Sequence, residues 1–426
     1  MKVLLSAYAC EPDKGSECAV GWNWALQVHR FCDVWVLTQG EGREGIEESV
    51  ASEALPRAQF VYMDLPPWTA FLKKLGWGTQ IHYYLWQLAA YFVGRRLHRK
   101  VGFDLVHHVT YGRYWMPSFL ALLPVPFIWG PVGGGESAPP AFWWSLSPGG
   151  KFLELARDLA RKIGEYDPFV RHAARKATIA LATTDQTADR LKRIGVRNVI
   201  VHPQFGMTHE ETQAFQLLPT RMDIPFRFIS IGRLIPMKGF HLALRAFARF
   251  QATYPACEYW IVSEGPEMKH LKALARKLGV ENKVTFLGRL PTLQDVYGKL
   301  AECDVLVHPA LHEAFGNVCL EALASGRPVI CLDLGGPALQ VTEETGIKVR
   351  AGNPNDAVED LAKAMLRLAQ DPELRIRMGE ASRRRVREHF SWDSKGDFMN
   401  GIYESAIGVP ALPKLVDQNS VWREAD

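Results

Sequence analysis

Short apolar runs alternate along this chain with longer stretches of helical spacing. The first run is Lys2 to Tyr8, and Cys18 to Arg30 follows with Val20, Trp24 and Val28 on one helical face. Further runs at Val34–Thr38, Gln59–Asp64, Asp104–Val109, Val125–Val132, Ile179–Thr184 and Asn198–His202 complete a first series of strands. The rhythm restarts at Phe226–Ile231 and continues through Glu258–Ser263, Lys283–Leu287, Asp304–His308, Pro328–Leu332 and Ile347–Arg350. Strands that are apolar throughout are buried on both faces, and strand–helix alternation gives a doubly wound parallel sheet. Two such series predict an α/β protein of two Rossmann-like domains facing across a cleft. The polar, irregular stretch Gln204–Asp223 between them reads as a linker, which divides the chain into domains at 1–205 and 206–390. One long polar helix is predicted over about Lys151–Lys176, and a loose tail from Pro410.

Composition changes little in this picture. The 426 residues are 47% hydrophobic and 23% charged, with a net charge of +4, too small to supply the concentrated basic face that nucleic acid needs. Seven scattered cysteines without a CxxC pair point to reduced thiols and a cytoplasmic setting. Met1-Lys2 leads straight into the first strand, so no signal peptide is expected, and no apolar run reaches bilayer length. One segment stands apart. Residues 65–103 contain no Asp or Glu, and combine Lys73, Lys74, Arg95, Arg96, Arg99 and Lys100 with nine Phe, Trp and Tyr side chains. Two compatible readings follow: a crossover helix with a basic outer edge, or peripheral contact with an anionic membrane, on its inner face.

The densest chemistry lies in Ala310–Cys331. Glu313 sits on the loop after a strand and Glu321 in the next helix, with Gly316 between them. In open α/β sheets that loop is where ligands bind. The amides of Gly316, Asn317 and Val318 open the helix and can hold an anion, while two carboxylates beside it suit hydroxyl groups. An anion flanked by hydroxyls describes a nucleotide sugar. A second constellation, Gly232-Arg233 with Lys238-Gly239, brings a fork donor and a point charge to one helix start, which suits a diphosphate. The bland alternatives are solvated loop charges at both places.

With these motifs in order, the chain resembles the retaining glycosyltransferases of the GT-B fold, family 4. The matching pieces are GRLIPMKGFHLALRAF, VSEGPEMKHLKALARKLGV, VTFLGRL and EAFGNVCLEALASGRPVI, spanning Phe226 to about Gly346, while the N-terminal half matches loosely. The resemblance implies that Arg233 and Lys238 bind the donor diphosphate, Glu321 the ribose and Glu313 the transferred sugar. It implies contacts from the amides of Phe315 to Val318, base contacts from Leu287, Gly288 and Arg289, and an approach by Gly15 and Ser16 from the other domain. It also implies a helix within 391–426 that returns to the N-terminal domain, and neither metal nor cofactor. Two departures are visible. The family's Gly-Asp-Gly-Pro run is Ser263-Glu264-Gly265-Pro266 here, and its His-x-His is His107-His108-Val109, with His107 the first choice for the sugar. Gly133–Gly135 could line the cleft or form a flexible loop.

The expected function is therefore transfer of a sugar from a nucleotide donor, UDP-linked first, to a glycan or lipid-linked acceptor in cell-surface polysaccharide or glycolipid synthesis. The alternatives are transfer to a soluble acceptor, a sugar-nucleotide epimerase of similar fold, or a non-catalytic sugar-binding module. A nicotinamide oxidoreductase needs GxGxxG after the first strand, which Ala9–Ser16 does not supply.

Overall fold

A computed structural model describes residues 1–53, 55–74, 78–219, 221 and 224–408. The expected tail from Pro410 lies outside the described residues. The described residues form two compact units, one of those within 1–135, 159–206 and 392–408, the other of those within 136–158 and 207–391.

The first unit is built on strands β1 (Lys2–Ser6), β2 (Asp33–Thr38), β3 (Ala58–Tyr62), β4 (Leu105–His108), β5 (Phe127–Val132), β6 (Ala177–Ala182) and β7 (Val199–Val201). They form one parallel sheet in the order β3-β2-β1-β4-β5-β6-β7. Helix Glu17–Val28 packs Trp24 and Val28 beneath the sheet. Helix Trp392–Ala406 packs beside it through Phe398, Met399, Ile402 and Tyr403, so the chain's last described helix returns to this unit.

The second unit has β8 (Phe226–Ile231), β9 (Cys257–Val262), β10 (Val284–Gly288), β11 (Val305–His308), β12 (Val329–Leu332) and β13 (Gly346–Val349). This sheet is also parallel, in the order β10-β9-β8-β11-β12-β13. Strand order reverses between β8 and β11, and a crevice opens at the carboxyl ends of strands at such a switch point. This is a two-domain α/β fold.

The structure differs from the expected organisation at three places. Residues 136–158, expected within the first domain, group with the second unit because Ala138, Phe142 and Leu146 are buried in its core. The single helix expected over 151–176 is two, Pro148–Tyr166 and Pro168–Lys176. Asp167 accepts the amides of Phe169 and Val170 and Pro168 takes the first helical position, so a new helix starts there. The linker holds a short helix, His209–Gln216, which Thr208 and Glu211 open with a capping box.

Candidate functional site

The turn after β8 begins at Gly232, whose φ of 150° favours glycine. Arg233 follows, exposed, with no ion pair or side-chain hydrogen bond among the described residues. The chain then makes a single 3₁₀ turn, Pro236–Lys238, and Gly239 starts helix Phe240–Gln251 at φ 65°. A Cβ on Gly239 would collide with the Pro309 carbonyl. That closeness lets the β8 and β11 loops lie side by side, joined by the Leu311 amide donating to the Met237 carbonyl at 2.8 Å.

Lys238 Nζ donates directly to Glu313 Oε2, and both side chains are about four-fifths buried, at 20% and 18% exposure. His308, the last residue of β11, brings Nε2 to 3.5 Å from the same carboxylate oxygen. Burial pushes the Glu313 carboxyl up, but His308 and Lys238 together outweigh it and hold the group down at about 2. Glu313 is thus ionised through the whole neutral range. Its carbonyl accepts the Gly336 amide at 2.9 Å, an approach that side chains at Gly335 and Gly336 would block.

Gly316, at φ 84°, opens helix Asn317–Ala324 with no side-chain cap. The first amides of that helix are therefore left for water or an anion. Phe315 is buried; its carbonyl accepts from Gln340 Nε2 at 2.7 Å, which ties the loop to helix Gly335–Gln340. One turn into the 317–324 helix, Glu321 has no side-chain partner among the described residues. Burial, with Glu211 nearby, raises its carboxyl to about 7. One site therefore holds two glutamates in opposite states: one locked in an ion pair, the other short of partners and able to accept hydrogen bonds from hydroxyls.

The remaining residues singled out above fall as follows. Leu287, Gly288 and Arg289 lie at the carboxyl end of the edge strand β10; Gly288 has φ 70° and its carbonyl accepts the Ser263 amide at 2.7 Å. Ser263 itself holds φ 105°. The position that is glycine in the family pattern thus keeps a glycine-type backbone although serine occupies it, at a cost of about 1–3 kcal/mol. Gly265 passes so close to Leu234 that a Cβ would lie 2.7 Å from its carbonyl carbon. Gly15 and Ser16 lie in the first unit, on the exposed loop before helix Glu17–Val28; Ser16, not Gly15, takes the positive φ, 62°.

His107 corrects an expectation. It is fully buried in the first unit, its Nε2 donates to the Gly130 carbonyl at 2.6 Å, and its Nδ1 lies 2.7 Å from the Tyr403 hydroxyl. Burial lowers its pKa to about 4. Neither ring nitrogen is available to a sugar, so His107 is a core histidine that anchors the returning helix. His108 points to the opposite layer, where Nε2 lies 3.2 Å from the Tyr83 hydroxyl. The glycine loop is not slack either: the Gly134 and Gly135 carbonyls accept from Arg161 Nε at 2.8 Å and Arg190 Nε at 2.9 Å. His308 and Gln340 were missed from the sequence. His308 carried a signal, as a polar residue closing an apolar strand; Gln340 carried none. No group of three or more His, Cys, Asp or Glu among the described residues is arranged to hold a metal ion.

The sequence profile of the glycosyl transferases group 1 family matches residues 220–385. The chain is 30% identical over 249 residues to the lipopolysaccharide core biosynthesis glycosyltransferase LpsD of Rhizobium meliloti, covering 58% of this chain and 69% of LpsD. Matches to several other curated relatives span under half of their lengths. Among solved structures, sucrose-phosphate synthase from Thermosynechococcus elongatus superposes with a TM-score of 0.62 at 20% identity, covering 95% of this chain and 98% of that one. Anabaena HepE in complex with UDP and glucose superposes with a TM-score of 0.57 at 17% identity, covering 95% of this chain and all of that one.

Proposed function

The chain belongs to the glycosyl transferases group 1 family, and from that premise we propose that it moves a hexosyl group from a nucleoside-diphosphate sugar to a glycan or lipid-linked acceptor, with retention of configuration and without a metal. The observation that carries this reading is the pairing of Lys238 with Glu313 at the β8–β11 switch point, beside uncapped helix amides and a Glu321 carboxylate without a partner among the described residues. Lys238, Arg233 and the amides of Asn317 and Val318 neutralise the diphosphate as it leaves. Preorganised charge of this kind is the largest contributor to many enzymic rates. Glu321 takes the ribose hydroxyls, Glu313 and its loop face the sugar, and Leu287 to Arg289 border the base. The departing phosphate oxygen takes the proton of the attacking hydroxyl on the same face of the sugar, which needs no side-chain base. UDP comes first among the donors because the similar Anabaena structure is a complex with UDP and glucose. A cell-surface glycan acceptor comes first because LpsD belongs to lipopolysaccharide core biosynthesis.

Incubation with donor and acceptor should give a product that keeps the donor's anomeric configuration. Donor incubated alone and converted to an isomerised sugar nucleotide would instead establish the epimerase.

The acceptor side of the proposal includes an anionic membrane. Helix Gly78–Val101 buries Tyr83, Trp86 and Ala90 and exposes Ile81, Leu85, Leu88 and Phe92 at helical spacing. Arg95, Arg96 and Arg99 continue the exposed face, an arrangement suited to lying in a headgroup layer. Among the described residues no helix is long and apolar enough to cross a membrane. Vesicles containing phosphatidylglycerol should carry the protein upward in a flotation gradient, and Leu88→Asp with Phe92→Asp should abolish this. Equal recovery with neutral vesicles would remove the membrane from the account.

A further inference from the structure

Residues 136–158 leave the first sheet and cross the second unit along the loops of the candidate donor site. Ser147 Oγ donates to Glu267 Oε1 at 3.2 Å, on the segment after β9. Gly150 lies against the 3₁₀ turn, where a Cβ would be 2.7 Å from Pro236 Cβ. Helix Pro148–Tyr166 then presents Glu154 and Arg157 to His312, the residue before Glu313. Arg157 Nη1 donates to Glu154 Oε1 at 2.5 Å and lies 3.0 Å from His312 Nδ1. The Glu154 side chain is completely buried, and its Oε1 is 3.6 Å from the same ring nitrogen.

A guanidinium has only donors, so His312 must accept through Nδ1 and carry its proton on Nε2. That Nε2 has no hydrogen-bond partner among the described residues and is not sealed from solvent. The Glu154–Arg157 pair is itself neutral, as is the Lys238–Glu313 pair, which leaves Arg233 as the cation without a counter-charge among the described residues. The outcome is an uncharged N–H donor, fixed in one tautomer, next to the loop residue assigned to the sugar.

We propose that His312 is a sugar-binding residue that donates its Nε2–H to a hydroxyl of the transferred sugar, and that Arg157 and the buried Glu154 are positioning residues that set its tautomer. This rests on the reading of Glu313 as sugar-facing. Among the described residues, the charged and titratable groups around the ring include Glu154 and Arg157 from the helix and, one residue along, Glu313 with Lys238 and His308.

Two measurements test it. Calorimetry with UDP-glucose, GDP-mannose and ADP-glucose, each set against its free diphosphate, compares the wild type with His312→Phe and Lys238→Ala. His312→Phe should weaken the nucleotide sugar about three- to ten-fold, the worth of one hydrogen bond, and leave the free diphosphate unchanged. Equal loss for both ligands, or for neither, would overturn the inference. Lys238→Ala should weaken both; if it weakens neither, the donor site is misplaced whatever His312 does. If none of the three sugars binds the wild type, the donor reading and this inference fall together. The second measurement is the imidazole ¹⁵N spectrum of the whole protein, with the His312 signals assigned by their absence in His312→Gln. The wild type should show the neutral Nε2–H form, kept in Arg157→Lys and lost in Arg157→Met. A wild-type ring that is Nδ1–H or cationic would contradict the positioning role.

Discussion

Replacing Lys238 by alanine is expected to slow transfer by about 10²–10³-fold, the range seen when one preorganised charge-stabilising group is lost. The size follows from how the lysine is held. It sits at the end of a 3₁₀ turn stiffened by Pro236, its backbone follows from Gly239's contact with Pro309, and its ammonium already meets Glu313 in the free protein. When a diphosphate arrives, the charge is in place and need not be gathered from solution. The substitution also leaves Glu313 with His308 as its remaining ionisable neighbour among the described residues, so the loop proposed to face the sugar loses an anchor. The check is a transfer assay beside a circular dichroism spectrum. An unchanged spectrum with near-wild-type transfer would remove Lys238 from the chemistry.

The second large effect is at Glu321 and appears as a conflict between stability and binding. In the folded protein burial holds this carboxyl at about 7, against an ordinary value of 4.5. Between those values the folded state binds a proton that the unfolded state releases. The contribution to stability is therefore complete below about 4.5 and lost as pH rises through 7. Glutamine has the same shape and no charge, so Glu321→Gln should melt with the wild type at pH 5 and above it at pH 8. Binding should move the other way. Ribose hydroxyls donate best to an ionised carboxylate, so donor affinity in the wild type should climb from pH 6 to pH 8. In Glu321→Gln it should be flat and about 10- to 100-fold weaker at pH 8, the loss of charge-assisted hydrogen bonds. Parallel pH profiles of melting and of affinity in the two proteins would refute the assignment.

Much of this site was legible before the structure, for a definite reason. Parallel strands buried on both faces are unbroken apolar runs, so the loops at their carboxyl ends can be located from the sequence. Gly232, Arg233, Lys238, Glu313 and Glu321 stand on such loops or in the helix that follows. Their states were not legible. Nothing local distinguishes Glu313, held at about 2, from Glu321, raised to about 7, because the cause is the presence or absence of partners from distant strands and helices. His107 was misread for the same reason. Its ring is claimed by Tyr403, which lies 296 residues further along the chain, and the sequence does not say which layer each of two neighbouring histidines faces. Residues 136–158 were assigned to the first domain because a linear reading follows the chain, whereas Phe142 and Leu146 follow the second core. Two misses were local and could have been caught. Asp167-Pro168 is a helix-start signal, and Thr208 with Glu211 is a capping box.

The central claim is that the loops after β8 and β11 form a nucleotide-sugar site with Lys238 at its diphosphate. It is tested most directly by thermal melting of the wild type and Lys238→Ala with UDP-, GDP- and ADP-sugars. A ligand that binds only the folded state raises the melting temperature. One nucleotide class, UDP first, should raise that of the wild type and leave Lys238→Ala unmoved. A wild type that none of the donors shifts, or a Lys238→Ala protein shifted as far as the wild type, would contradict it.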